Sequence, residues 1–273
     1  MAADAGSYPV SVSIKPDKIP LGGIALATIK TNDDIELLDV RFLGERIPYY
    51  LNPSSRNYFV LIGAGLDCKP GVHLLTITWQ GIDAPGLYSH KVRIMARTFP
   101  EERLSVPESM VEFPPKILER VLNDQKAVKE TCNEISNEHY WRSPFVWPVK
   151  SKILSQFGFR RIFNNKPRSP HSGVDLRAPE GTPVLASNYG KVAMIRDCYL
   201  SGKTVIIDHG KGLYTLYAHL DSYKVTEGQA IKQGQVIGLA GSTGRATGPH
   251  LHWGVSLLGK RLDPAELMAL LGT

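Results

Sequence analysis

Over the first hundred residues apolar and polar positions alternate in short runs. Val10, Val12 and Ile14 alternate with polar neighbours, as do Leu26 and Thr28 and, less cleanly, residues 37–43. Further runs cover 58–62, 74–79 and 87–96. A period of two puts one set of side chains on one face of a strand. Turn formers separate the runs: Leu21-Gly-Gly, Thr31-Asn-Asp-Asp, Asn52-Pro-Ser-Ser, Lys69-Pro-Gly and Ala84-Pro-Gly. Residues 8–98 are therefore expected to form a small antiparallel β-sandwich, immunoglobulin-like in character. This region holds His73 and His90 but no cluster of ligating side chains, so it reads as a binding or positioning module.

The pattern then changes twice. Residues 99–115 are punctuated by proline, and Ile117, Val121, Val128, Cys132 and Ile135 recur at helical spacing. Pro114 and Pro115 suit the entry of a helix, predicted over about 115–136 within a linker spanning 99–142. The simplest expectation is that this helix packs across the junction between two domains. From residue 143 the chain returns to short strands rich in glycine, with no helix expected before Pro264–Leu271. Residues 143–273 read as one all-β domain, and the whole chain as mainly β.

Composition narrows the class. With 42% hydrophobic and 21% charged residues in 273, the chain is built for folded cores rather than for disorder. No apolar run approaches the ~18 to 20 residues that span a bilayer. The N-terminus lacks the basic and apolar regions of a signal peptide; it reads equally as the start of an exported chain whose leader has been removed or as that of a cytosolic one. A net charge of +6 favours an anionic partner or serves only solubility. Basic residues are spread along the chain, and no helix-turn-helix, zinc-finger or RNP pattern occurs, so nucleic acid is not the expected partner. A bacterial cell wall, rich in carboxylates, fits the charge. Cys68, Cys132 and Cys198 form no C-x-x-C pair, so a cysteine metal site is not expected and apolar packing is their default role.

Candidate chemistry concentrates near the C-terminus. His171-Ser-Gly-Val-Asp175 and His250-Leu-His252 supply three side chains that zinc prefers and one imidazole to spare. Residues 250 and 252 face the same way on a strand. Pro170, Gly173 and Pro179 make the first motif a turn running into a strand. Three protein ligands and an open position suit a catalytic zinc and hydrolysis by activated water. His219 stands in Tyr217-Ala-His-Leu220, and five of the eight histidines lie between 171 and 252.

Together with Phe157-Gly-Phe-Arg160, Pro179-Glu-Gly-Thr-Pro-Val184, Gly190-Lys-Val192, Thr204-Val-Ile-Ile-Asp-His209, Gly241-Ser-Thr-Gly244 and Thr247-Gly-Pro-His-Leu-His-Trp253, these blocks resemble the LytM/lysostaphin-type zinc metallopeptidase domain. The resemblance covers roughly 143–265. It implies a peptidoglycan endopeptidase, exported to the periplasm or cell envelope. It also implies zinc held by His171, Asp175 and His252, with His219 and His250 as the unliganded catalytic pair. The two histidines would share water activation and oxyanion stabilisation.

Other residues carry two readings each. Arg160 and Arg161 either meet a substrate carboxylate or sit in a solvated loop. Tyr189, Tyr217 and Thr247 either line a groove or only pack. His209 is expected to end a strand, and the loop 164–170 to form a groove wall. The alternative function is a non-catalytic wall-binding regulator or amidase activator, a class expected to have lost metal ligands. Intramolecular occlusion by the N-terminal domain or the linker, through Asn137-Glu-His-Tyr-Trp141, is a further expectation. The longer architecture favours a D-Ala-containing cross-link over a glycine bridge.

Overall fold

The computed structural model describes residues 10–31, 35–81, 85–105, 108, 111–142 and 144–273. The turn expected at residues 32–34 and that at Ala84 fall outside this set. The N-terminal strands are β1 (Val10–Lys15), β2 (Lys18–Pro20), β3 (Ile24–Thr31), β4 (Ile35–Phe42), β5 (Glu45–Arg46), β6 (Tyr49–Asn52), β7 (Asn57–Gly63), β8 (Gly71–Gly81) and β9 (Pro85–Met95). They form two sheets, β1-β3-β7-β6 and β2-β9-β8-β4-β5, antiparallel except where β2 runs parallel to β9. Ile29, Val60, Ile62, Leu75, Ile77 and Val92 fill the space between the sheets. The short β2, β5 and β6 escape sequence patterning because two to four residues are too few to show alternation.

The linker contributes β10 (Glu101–Leu104) and helix α1 (Pro115–Asn133). Helix α1 has Pro at its first position and no side-chain cap. It does not cross the junction as expected. Its buried face, with Cys132, rests on Met194, Ile206, Tyr214 and Leu216 of the C-terminal sheet. The reason is a polar anchor that apolar periodicity cannot reveal. Asp124 is buried in α1 and accepts hydrogen bonds from Arg196 Nε and the Tyr199 amide, each at 2.8 Å.

The C-terminal strands are β11 (Ile153–Ser155), β12 (Arg160–Phe163), β13 (Lys166–Pro167), β14 (Val174–Arg177), β15 (Pro183–Leu185), β16 (Gly190–Cys198), β17 (Gly202–Gly210), β18 (Leu213–Tyr223), β19 (Ala230–Ile231), β20 (Val236–Ala240), β21 (His250–Leu257) and β22 (Lys260–Leu262), followed by α2 (Pro264–Leu271). The main sheet runs β11-β14-β21-β18-β17-β16-β19, with β15, β20 and β22 attached. A separate small sheet joins β10, β12 and β13. Its β12–β13 hairpin turns at Asn164 and Asn165, both in the left-handed region (φ 49° and 63°) that a two-residue hairpin turn needs.

Helix α2 and its cap close the contact with the sandwich. Asp263 caps α2 through the Ala265 amide, donates its own amide to Gly22 O at 2.7 Å and pairs with Arg97 at 2.9 Å. Ile24 and Leu61 of the sandwich share one apolar cluster with Leu257, Leu262 and Leu267. Among the described residues no helix is long and apolar enough to cross a membrane.

Candidate metal centre

Cross-strand register assembles the first pair of ligand candidates. β14 and β21 run antiparallel with Asp175 directly opposite His252, so both side chains leave the same face. His250, two residues before His252, lies on that face too, and its Nε2 stands 3.8 Å from Asp175 Oδ1. His171 precedes β14 in a segment held by two backbone hydrogen bonds, His171 N to Phe159 O (2.9 Å) and Gly158 N to His171 O (2.8 Å). The Phe157-Gly-Phe stretch thus acts as the clamp of the first motif. Gly173 is required between His171 and Asp175: a Cβ there would collide with the Trp253 carbonyl and approach His252 Nε2 to 2.9 Å.

His219 reaches this face by a backbone irregularity. Ala218 is the register partner of His252, so strict alternation would send the next residue to the opposite face. At His219 the chain instead enters the left-handed region (φ 60°), within a register shift between β17 and β18. Here β18 also changes partner, pairing with β21 through Ala218 and with β20 from Leu220. Such bulges re-aim side chains beside functional sites. The backbone is held by His219 N to Ser201 O (2.9 Å) and Gly241 N to His219 O (3.0 Å). The resulting His219 and His250 rings lie 4.7 Å apart.

Three donor atoms converge. His171 Nε2, Asp175 Oδ1 and His252 Nδ1 form a triangle with edges of 3.0, 3.0 and 2.8 Å. A tetrahedral ion with arms of roughly 2.0–2.2 Å spaces its ligands roughly 3.3–3.6 Å apart, so a small outward shift of each accommodates it. The tautomers agree, because a carbonyl oxygen can only accept. His171 Nδ1–H donates to Gln156 O at 2.8 Å, which leaves Nε2 with its lone pair toward the cluster. The same logic sets His219 Nδ1–H on Thr243 O and His250 Nδ1–H on Gly248 O, each at 2.8 Å, leaving both Nε2 atoms as acceptors. The residues present therefore fit a zinc-type ion.

Burial shapes the charges. Desolvation, then the neighbouring His250 and His252, lowers His219 to about 3. Desolvation lowers His252 to about 4, against the pull of Asp175. Burial alone would raise the Asp175 carboxyl, but hydrogen bonds from His171 and His252 bring it well below the ordinary carboxylate range. The second Asp175 oxygen accepts from Arg161 Nη2 at 2.8 Å.

The site opens into a groove of about 520 Å³. One wall is α1, through Leu118, Val121 and Leu122, with Val111 and Phe113 before it. The facing wall holds Arg161, Arg168 and Arg245 around Phe163, with Arg245 over the Phe163 ring at 5.0 Å. Burial, then Arg161 and Arg168, pulls the Arg245 guanidinium below its usual value. Arg168, Ser169 and Pro170 place the end of the 164–170 loop on this wall.

Several sequence candidates lie elsewhere. Arg160 is an exposed residue paired with Glu101, whereas Arg161 points into the site. Tyr217 is fully buried and bonds Ser187 N and Thr215, so it packs. Tyr189 sits under Arg142, away from the groove lining, and Thr247 is exposed. His209 does more than end a strand. It is fully buried in β17, donates Nδ1–H to Tyr189 O, and contacts Thr215 Oγ1, each at 2.7 Å. Asn137–Trp141 does not line the groove: His139 stacks on Tyr50 at 3.9 Å and bridges Gly210, at the hairpin end of β17 and β18. The wall supplied by α1 and the carboxylate contact of Arg161 are the functional features that sequence reading missed. For Arg161 the only signal was its position directly after the Phe157-Gly-Phe-Arg160 block.

Residues 169–264 match Peptidase family M23. The chain is 44% identical over 120 residues to peptidoglycan DD-endopeptidase ShyA of Vibrio cholerae, covering 43% of this chain and 28% of that protein. It is 40% identical over 119 residues to DD-carboxypeptidase/endopeptidase Mpg of Neisseria meningitidis, covering 44% of this chain and 27% of that protein. The chain thus spans little more than a quarter of the length of these relatives. A solved structure from Pseudomonas aeruginosa, described as a peptidase M23, is 28% identical with a TM-score of 0.71, covering 92% of this chain and 94% of that one.

Proposed function

We propose, on the premise that residues 169–264 form a Peptidase family M23 domain, that this chain is a zinc-dependent endopeptidase cutting D-Ala-containing cross-links of bacterial peptidoglycan. The observation that carries the reading is the convergence of His171 Nε2, Asp175 Oδ1 and His252 Nδ1 beside the His219–His250 pair. His171, Asp175 and His252 hold the metal. When bound, zinc supplies Lewis acidity that polarises a carbonyl and makes water nucleophilic near neutral pH. His219 and His250 divide the proton transfer and the stabilisation of negative charge on the scissile carbonyl. Both rings commit Nδ1–H to a carbonyl oxygen, His219 to Thr243 O and His250 to Gly248 O, so in each only Nε2 is left to take or share a proton.

The basic groove wall supports an anionic substrate, and peptidoglycan stem peptides carry carboxylates. The activities for which ShyA and Mpg are named support the D-Ala cross-link. Such a substrate places the enzyme in the cell envelope, outside the cytoplasm. Occlusion by the linker, where it operates, falls to Val111, Phe113, Leu118 and Leu122 along the groove. A regulator without catalysis is disfavoured because every ligand candidate is present.

The test is mass spectrometry of muropeptides released from purified walls of two chemistries, one with D-Ala cross-links and one with glycine bridges. The expected result is cleavage of the D-Ala wall with about one zinc per chain by atomic emission, and loss of cleavage in His171→Ala and His219→Ala. A zinc-loaded protein that releases nothing from either wall would overturn the reading.

A further inference from the structure

Two ion pairs run side by side between β10 and β12. These strands are parallel neighbours, with Glu101 opposite Arg160 and Glu102 opposite Arg161. Alternation sends the two pairs to opposite faces. The Glu101–Arg160 pair lies outside, with side chains 38% and 63% exposed and a 3.3 Å separation. The Glu102–Arg161 pair is turned inward, 21% and 22% exposed, with Arg161 Nε 3.2 Å from Glu102 Oε2. The outer pair continues to exposed Arg103, whereas the inward pair continues to the site, where Arg161 Nη2 reaches Asp175 Oδ2 at 2.8 Å.

A carboxylate has two oxygens, and here they are divided. Oδ2 is taken by the guanidinium, while Oδ1 faces His171 Nε2 and His252 Nδ1. The planar guanidinium spends Nη2–H on Asp175 Oδ2 and Nε–H on Glu102 Oε2, so it is oriented from both sides and holds its charge against one carboxylate oxygen only. Glu102 on the other edge holds that guanidinium in place. Groups that orient a metal ligand in this way typically change metal affinity about 10–100-fold when removed.

We infer that Arg161 is a positioning residue for the metal ligand Asp175, and that linker residue Glu102 is its anchor. The linker strand β10 then completes the metal site from outside the M23 match, which begins at residue 169. The inference rests on the zinc reading of the site proposed above. Glu102 and Arg161 set which oxygen of Asp175 is offered to the metal and keep the other from swinging toward it. Arg161 is thereby committed within the protein and is not the group that meets substrate.

The experiment is a zinc titration of the full chain against a competing chelator, read as dissociation constant, with the visible spectrum of the Co²⁺-loaded protein as a second readout. Arg161→Ala is expected to weaken zinc binding about 10–100-fold and to change the Co²⁺ bands, as the released carboxylate reorients. Arg161→Lys restores the charge but not the planar grip, and is expected to recover affinity only in part. Glu102→Gln, a change at a half-buried position that keeps an acceptor, is expected to weaken binding several-fold, about 3-fold or more. Arg160→Ala, which cuts the outer pair, should leave the constant within about twofold. Wild-type affinity and an unchanged Co²⁺ spectrum in Arg161→Ala would overturn the inference. Should that variant not fold, an unaltered constant in Glu102→Gln would do so. Failure of the wild-type chain to bind zinc would instead overturn the zinc reading itself.

Discussion

The two β regions of this chain are made from similar strands yet treat polar groups differently. Among the described residues, the sandwich of β1–β9 buries no polar or charged side chain. The C-terminal region buries His171, Asp175, His209, Thr215, His219 and Ser256, and α1 adds Asp124. In the sandwich an inward position is an apolar position, and charged pairs such as Arg41–Asp39 stay outside. In the C-terminal sheet, each buried imidazole has to be matched by a carbonyl, hydroxyl or carboxylate, because an unmatched polar group loses its hydration. Gln156 O, Thr243 O and Tyr189 O perform this for the buried His171, His219 and His209, and Gly248 O for half-buried His250. The sandwich is a product of patterning, whereas the C-terminal sheet gives part of its interior to chemistry.

The largest effect that would separate the regions is catalytic. His219→Ala should lower peptidoglycan cleavage on the order of 10³-fold while zinc content stays near that of wild type, and His171→Ala should lose both. Substitution in the sandwich should do neither: Ile77→Ala, at a fully buried site, should cost about 2–5 kcal/mol of stability in urea unfolding. Zinc affinity of the molecules that remain folded should be unchanged. A loss of affinity there would mean that the two regions are not independent.

Acid should discriminate next. Burial lowers His209 to about 4, so its neutral form is favoured by folding. A depressed imidazole binds fewer protons folded than unfolded, so stability is full above its ordinary value near 6.5 and is lost as pH falls toward 4. The loss amounts to about 2 kcal/mol by pH 5 and about 3 kcal/mol below pH 4. Urea midpoints of the metal-free protein between pH 7 and 4.5 should fall with this sign, and His209→Gln should flatten the slope. An unflattened slope would remove His209 from the account. The smallest effect belongs to the sandwich surface. Arg41→Ala breaks an exposed ion pair and should shift stability by less than about 0.5 kcal/mol.

Much of this was legible. Runs at 10–14, 58–62 and 74–79 fall on β1, β7 and β8, because half-buried antiparallel strands write their alternation into sequence. Pro115 marked the start of α1, but Leu118 and Leu122 of its apolar positions are exposed along the groove, and the buried Asp124 decides where the helix sits. The two-residue spacing of His250 and His252 was enough to give them a common face, since a strand has period two.

The sequence by itself determined the β character, the turn chemistry and the set of ligand-type side chains, since these depend on local period and residue type. Only the tertiary structure decided how those side chains meet. Asp175 faces His252 because β14 and β21 pair in that register. His219 shares their face because the backbone at that residue leaves the alternation, φ 60°, where β18 changes partner. Arg161 is bound to Asp175 and Glu102 because a linker strand joins β12 in parallel. Register, bulge and long-range pairing involve residues far apart in the chain, and no local pattern of polarity encodes them.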